Sequence, residues 1–294
     1  MALPISLERR KLMTYNLIAS TATVPTSVTI GPFCVIGENV MLGENVVLGV
    51  GCVLGDGSRV GAGSVLGNHV SIGAGGRLGA RTRIGDHTTI YPQVELGEDG
   101  FIGSNSSIGR LPKAAATSTV KAQADLPPLR MGNGFTIGCS AVLYAGTSYA
   151  DAAFVGDGAV VRERCSIGQN VVIGSGVAVE NDTKIGSFTK IQTGSYITAY
   201  MEIGERVFIA PMVTTTNDNF MGRTEKRFKL IKGPTIQRGA RIGGGVILLP
   251  GVKVAPETFV AAGALVTKDT TEKRVQKGFP AQDLREVPEE ELLP

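Results

Sequence analysis

Several kinds of residue are scarce in this 294-residue chain, and each scarcity closes a route. There is no tryptophan, and aromatics make up only 5% of the residues. A core built on large rings is therefore excluded. Four cysteines, Cys34, Cys52, Cys139 and Cys165, include no CxxC pair, which argues against a zinc ribbon or a disulfide framework. Two histidines, His69 and His87, supply metal chemistry poorly, and no resident metal is expected. Charge is also low: 29 basic against 26 acidic side chains leave +3, too little to suggest a nucleic-acid partner. No apolar run reaches the ~20 residues of a membrane helix. The start, MALPISLERRKLMTYNLIAS, shows no clear cleavage site, so a cytoplasmic protein is expected. An apolar share of 43% is too high for a disordered chain.

What the chain has in excess is glycine, 40 residues, and small aliphatics. They follow a rule. From Ile30 to Ile108 every sixth residue is Leu, Ile or Val, and glycine follows it everywhere except at Tyr91. The series breaks over 109–134 and resumes from Ile137 to Thr215, where only Tyr149 and Thr215 depart from Leu, Ile or Val. After a second break over 216–235 it runs again from Ile236 to Val266. Six is not a multiple of 3.6, which excludes an amphipathic helix. Inward residues two apart, followed by a turn, fit short strands instead. Glycine is expected to supply permissive dihedrals at each corner. Three such units close an 18-residue triangular coil. About eleven stacked coils, roughly 50 Å in all, form the predicted all-β parallel helix.

The domain organisation follows from the repeat: a cap over 1–27, the β-helix over 28–282 with excursions at 109–134 and 216–235, and a tail over 283–294. Short helices are expected at both ends, over SLERRKLMT and over VPEEELL, where Pro288 is followed by acids. The first excursion reads as a surface loop, with a linker between two domains as the alternative. The second carries Arg223, Lys226, Arg227, Lys229 and Lys232 against Glu225, so a phosphate-bearing ligand is expected nearby.

A triangular coil turns spacing into proximity. Glu163, Asn181, Ala199 and Asn217 lie 18 residues apart and predict one column; Arg164, Asp182, Tyr200 and Asp218 predict its neighbour. Both end at the basic loop. Together they offer a polar line along which a sugar with a diphosphate would lie.

The pattern [LIV]-G-x-x-x-x resembles the hexapeptide-repeat acyltransferases. The segments TTTNDNFMGR (214–223), GPTIQRGARIGGGVILLPGV (233–252) and AAGALVTKD (261–269) are similar to the branch that acetylates nucleotide-linked amino sugars. The resemblance implies a left-handed β-helix, a homotrimer with sites between subunits, and acetyl-CoA as donor. It implies Asn217 and Asp218 near the acceptor amine, with Glu163 in reserve as a base. Ala199 stands where members often carry Glu. Asn181, Asp182, Tyr200 and Arg223 are the expected substrate contacts. Gly244 and Ala262 would line the pantetheine arm, and Thr267 and Lys268 would lie near the adenine and phosphates. Transfer to a hydroxyl, transfer of a longer chain, and a non-catalytic scaffold are the alternatives.

Overall fold

The computed structural model describes residues 15–116, 125–289 and 292. Its strands are mostly two residues long, and each pairs in parallel with the strand one coil later. They assemble three sheets, one per side of a triangular prism. The first side holds 13 strands from Leu17–Ile18 to Leu265–Val266, the second 11 from Met41–Leu42 to Lys253–Val254, and the third 14, beginning at Thr29–Ile30. The stack is thus longer than the eleven coils expected. One addition precedes Ile30, where Leu17 pairs with Val35. Another lies inside the first break: Arg130–Met131 is a strand between Glu95–Leu96 and Ser148–Tyr149, and Leu129 is fully buried.

Each coil points two residues per side inward. Cys34 with Ile36, Val46 with Leu48, and Ala159 with Val161 are buried, and the column runs through to Val266. The two slots that break the aliphatic rule are also buried. Thr215 satisfies its hydroxyl by donating to the Tyr196 carbonyl at 3.0 Å and accepting from the Thr198 N–H at 2.8 Å. Tyr149 sits among aliphatics, and burial pushes its phenol well above the usual range.

The glycine after each slot has a different task from the one expected. A Cβ on Gly49 would stand 2.7 Å from the Gly67 carbonyl carbon of the next coil. Close approach between coils, not positive φ, demands glycine there. The left-handed residue comes two positions later and is often not glycine: Asn39, Asn45, His69 and Arg81 all have φ near +55°. Short polar side chains tolerate this region best, and Asn fills it repeatedly.

The three outer surfaces differ. The outward residues of the second side include Arg59, Arg77, Glu95, Arg130, Lys184 and Glu202. Those of the first side include Val142, Val160, Ala178, Tyr196, Ile247 and Leu265. The third presents Phe101, Phe154, Val172, Phe208 and Phe259. The second side is the charged one, the first is the most apolar, and the third mixes its aromatic and aliphatic residues with Arg83, Lys190 and Arg241.

Both excursions leave from the same corner, where the first side turns into the second. The strand Ser107–Arg110 precedes one and Thr214–Thr215 the other, and both belong to the first side. Four first-side strands separate them. The 109–134 segment is therefore an excursion within one continuous helix, not a linker.

The helix expected over SLERRKLMT lies outside the described residues. At the other end the chain folds into a hairpin: Arg274–Gly278 closes the third side, and Ala281–Glu286 pairs with it antiparallel. Residues 290, 291, 293 and 294, which include part of the second expected helix, lie outside the described residues. The one α-helix among the described residues is the single turn Arg227–Leu230.

Candidate functional site

The corner between the two excursions differs from every other corner of the prism. At the third-to-first corner, the residue after each slot in this stretch is Gly138, Gly156, Gly174, Gln192 or Ala210. At the second-to-third corner it is Gly132, Ala150, Gly168, Gly186 or Gly204. At the first-to-second corner it is Tyr144, Arg162, Glu180, Thr198 and Thr216. Large side chains thus replace glycine on successive coils at one corner only. The corner is also looser. The amides of Asp182 and Tyr200 reach the Glu163 and Asn181 carbonyls at 3.2 Å, against 2.7 Å from Gly57 to Glu38 nearer the N-terminus.

Charges at this corner pair tightly. Arg162 grips Glu163 with two hydrogen bonds, Nε–Oε2 at 2.8 Å and Nη2–Oε1 at 3.0 Å, and the Glu163 side chain is 5% exposed. Glu163 is therefore the buried anchor of Arg162. Arg164 makes the same kind of fork to Asp182, both contacts at 2.7 Å. Burial alone would raise the Asp182 carboxyl, but the hydrogen bonds from Arg164 and Asn181 outweigh it and hold it below the usual range.

Beyond these pairs the corner opens into a cavity of about 390 Å³, roofed by the second excursion. Asn181, Ala199, Tyr200 and Asn217 line it, with Arg227 and Phe228 from the loop. Glu180 lines it too. Burial raises the Glu180 carboxyl above its ordinary value, and the Arg162 guanidinium, 3.6 Å away, offsets this only in part. A carboxylate held at elevated pKa against an open cavity has the character of a proton acceptor. Glu180 is not among the site residues expected from the sequence. The signal was there: it occupies a post-slot position where glycine is the rule.

Asn217 and Asp218 stand at the loop's base. The Asn217 amide donates to the Ala199 carbonyl at 3.4 Å, and its own carbonyl accepts from the Lys232 N–H at 3.0 Å, closing the excursion. Asp218 faces into the loop. It accepts from the Phe220 and Gly222 amides at 2.8 and 3.0 Å and meets Arg227 at 3.1 Å. Those amides, with Arg227 behind them, hold the carboxyl below its usual range. Arg223 is exposed, and its main-chain N–H closes a turn onto Phe220.

The residues expected around the donor divide between two corners. Thr267 and Lys268 are exposed on the first-to-second corner, two coils beyond Asn217. Gly244 and Ala262 lie on the third-to-first corner, where the Gly263 amide donates to the Gly244 carbonyl at 2.9 Å. A Cβ on Gly244 would meet only the Pro211 carbonyl, at 3.4 Å, so its surface is open. The first side separates the two groups within one protomer. His69 and His87 stack on the third-to-first corner as well, ring centroids 5.0 Å apart, far from the cavity. Cys34, Cys52 and Cys165 are buried, and burial pushes the Cys165 thiol up to about 12. Among the described residues no helix is long and apolar enough to cross a membrane.

Residues 34–68 and 163–199 match the family model described as the hexapeptide repeat of succinyl-transferase. A putative serine acetyltransferase of Schizosaccharomyces pombe is 36% identical over 87 residues, 30% of this chain and 32% of that one. The galactoside O-acetyltransferase of Escherichia coli is 34% identical over 88 residues, 29% of this chain and 43% of that one. Among solved structures, an Arabidopsis UDP-N-acetylglucosamine acyltransferase is 18% identical with a TM-score of 0.34, covering 92% of this chain and 74% of that one. The chain thus spans a third to under a half of the length of these two curated relatives. With its six-residue period and its three-sided coil, the chain is a parallel β-helix of hexapeptide repeats, and two of its segments are similar to the repeat of the acyltransferases.

Proposed function

We propose that the protein transfers an acetyl group from acetyl-CoA to the amine of a nucleotide-linked amino sugar. The observation that carries this reading is the cavity between the excursions, where Glu180, Asn181 and Asn217 converge beside a basic loop. Acetyl-CoA supplies the activated acetyl thioester. Glu180 takes the proton that the acceptor nitrogen sheds as the new C–N bond forms, and the departing thiol carries a proton away when the C–S bond breaks. Asn217, fixed by the Ala199 and Lys232 contacts, orients the acceptor and donates toward the developing oxyanion. Asp218 shapes the loop that covers the cavity, and Glu163 holds Arg162 beside Glu180. Tyr200 and Asp182 line the approach, and Arg223 adds an exposed positive charge on the covering loop.

The donor's expected contacts fit a site shared between copies. Gly244 and Ala262 reach the cavity only if another protomer brings its third-to-first corner against this first-to-second corner. The apolar first side and the aromatic stretch of the third supply the surfaces for that packing, and the charged second side stays outward. A homotrimer satisfies both, with an expected sedimentation mass near three times 30.7 kDa. Lys268, exposed on the same corner, is the residue for a coenzyme A phosphate.

A second acceptor class has its own support: the relatives above include proteins named for O-acetyl transfer and for serine acetylation. Free-thiol release with acetyl-CoA and paired panels of amino and hydroxyl sugar nucleotides separates the two. Turnover of the amines supports the proposal, and turnover of hydroxyls alone replaces it with the second reading. Absence of thiol release together with absence of coenzyme A binding by calorimetry would sink both.

A further inference from the structure

The far end of the same corner carries a second constellation. The strand Ser107–Arg110 runs two residues beyond the usual pair before the first excursion departs. Arg110 is thereby still in register, opposite Tyr144, and its carbonyl accepts from the Ala145 amide at 2.9 Å. The guanidinium carbon of Arg110 lies 5.6 Å from the centre of the Tyr144 ring, and that of Arg162, from the next coil, lies 5.1 Å from it. Arg110, Tyr144 and Arg162 thus form a stack of cation, ring and cation along the prism axis.

The three members are held differently. Arg162 spends its fork on buried Glu163. The ring of Tyr144 has a guanidinium from the coil on either side, so neither of its faces is left for a planar base. Arg110 is exposed, and among the described residues its guanidinium meets the ring and no carboxylate. A guanidinium fixed against a ring presents a pre-organised fork of donors, which matches a phosphate better than any other common group. The first excursion adds exposed Lys113 close by in the chain.

We infer that the Arg110–Tyr144–Arg162 stack is an anion-binding site on the same corner as the cavity and takes a phosphate or diphosphate group of the acceptor. The row of Arg110 lies three coil spacings from the row of Glu180, ~14 Å between backbones, which the reach of both side chains shortens. A free monosaccharide does not span that distance; a diphosphate-linked one does. The inference deepens the proposed function and rests on it for the identity of the acceptor. The anion site itself stands on the geometry of the stack.

Isothermal calorimetry with inorganic pyrophosphate tests the site without any turnover. Arg110→Ala is expected to weaken binding about tenfold, and Tyr144→Leu about fivefold, because the ring no longer holds the guanidinium. Tyr144→Phe keeps the face and is expected to bind within about twofold of the native chain. Arg59→Ala, on the charged second side, is the control for general electrostatics. Melting curves check that each variant is folded; Arg110→Lys, which keeps the charge and loses the fork, is the substitute if Arg110→Ala is not. With the nucleotide-linked acceptor, Arg110→Ala is expected to raise KM about tenfold and leave kcat and the KM for acetyl-CoA unchanged. No pyrophosphate binding to the native chain, or equal binding by Arg110→Ala, overturns the inference. Binding that depends on Arg110 without acetyl transfer to any sugar nucleotide upholds the site and defeats the proposed function. Acetyl transfer with an unchanged acceptor KM in Arg110→Ala does the reverse.

Discussion

The coils before the first excursion and those between the two excursions share one inner column but differ in their corners. At the first-to-second corner, the early coils place Gly37, Gly55 and Gly73 after the slot; the later ones place Arg162, Glu180 and Thr198. The early glycines let one coil lie close on the next. The later side chains hold that corner apart and fill it with charge. The comparison teaches that the inner residues specify the prism and that its chemistry is written where the glycine rule is suspended.

Four measurements break or sharpen this contrast. The largest effect is common to both regions. Leu248→Asp places an unpaired charge in a fully buried slot and is expected to cost about 4 kcal/mol or more, with the C-terminal coils lost from the melting transition. A native melting curve would show that the slots are not the core.

The second tests the later region alone. Glu180→Gln is expected to lower kcat about a hundredfold at unchanged melting temperature, while Asp56→Asn, at the same corner among the early coils, leaves kcat as it is. Burial raises the Glu180 pKa, so its ionised, proton-accepting form accumulates only above the ordinary glutamate range. The rate therefore rises with pH through that raised pKa, and this acid limb is expected to disappear in Glu180→Gln. An identical pH profile in the variant would remove Glu180 from the chemistry.

The third concerns the excursion itself. Asp218 has a lowered carboxyl in the folded chain, so its stabilisation is present above the ordinary aspartate range and is lost as pH falls through the folded value. Asp218→Asn is expected to raise the rate of proteolytic cleavage within 219–231 several-fold at neutral pH, with the difference from the native chain vanishing in acid. Equal cleavage at pH 7 would mean that the carboxylate does not hold the loop.

The smallest effect compares equivalent corners directly. Gly55→Ala brings a Cβ to 2.5 Å of the Ala74 amide nitrogen and is expected to cost about 1–3 kcal/mol. Glu180→Ala, at the matching place, is expected to cost under about 1 kcal/mol, since its ion pair with Arg162 is long and partly exposed. Equal costs, read from denaturant midpoints, would erase the distinction between the two regions.

The prism was legible in the sequence because a buried, invariant period leaves a mark on every sixth residue. The columns through Asn181 and Asn217 followed from it by counting. What escaped was whatever a single residue decides. The Arg130–Met131 strand follows a proline-rich stretch and adds one isolated repeat, too short for a period to show. The polar contacts of Asp218 depend on the loop's own turn, so its inward aim carries no sequence signature. Glu180 was hidden because the counted polar columns run through Asn181 and Asp182, one and two residues later, and a missing glycine after a slot is visible only when that position is compared from coil to coil. The hairpin at 274–286 lies where the periodicity had already ceased, and its residues, such as Arg274 and Glu286, carry no inward alternation.

That hairpin bears on how the molecule meets others. Every strand before it presents the same direction to its successor, and a bare rim of that kind invites another chain to continue the ladder. By reversing direction at Ala281–Glu286, with Asp283, Arg285 and Glu286 exposed along the outermost strand, the third side presents an edge that a further parallel rung does not match. Lengthwise continuation of the ladder is thereby discouraged on this one side of the tip.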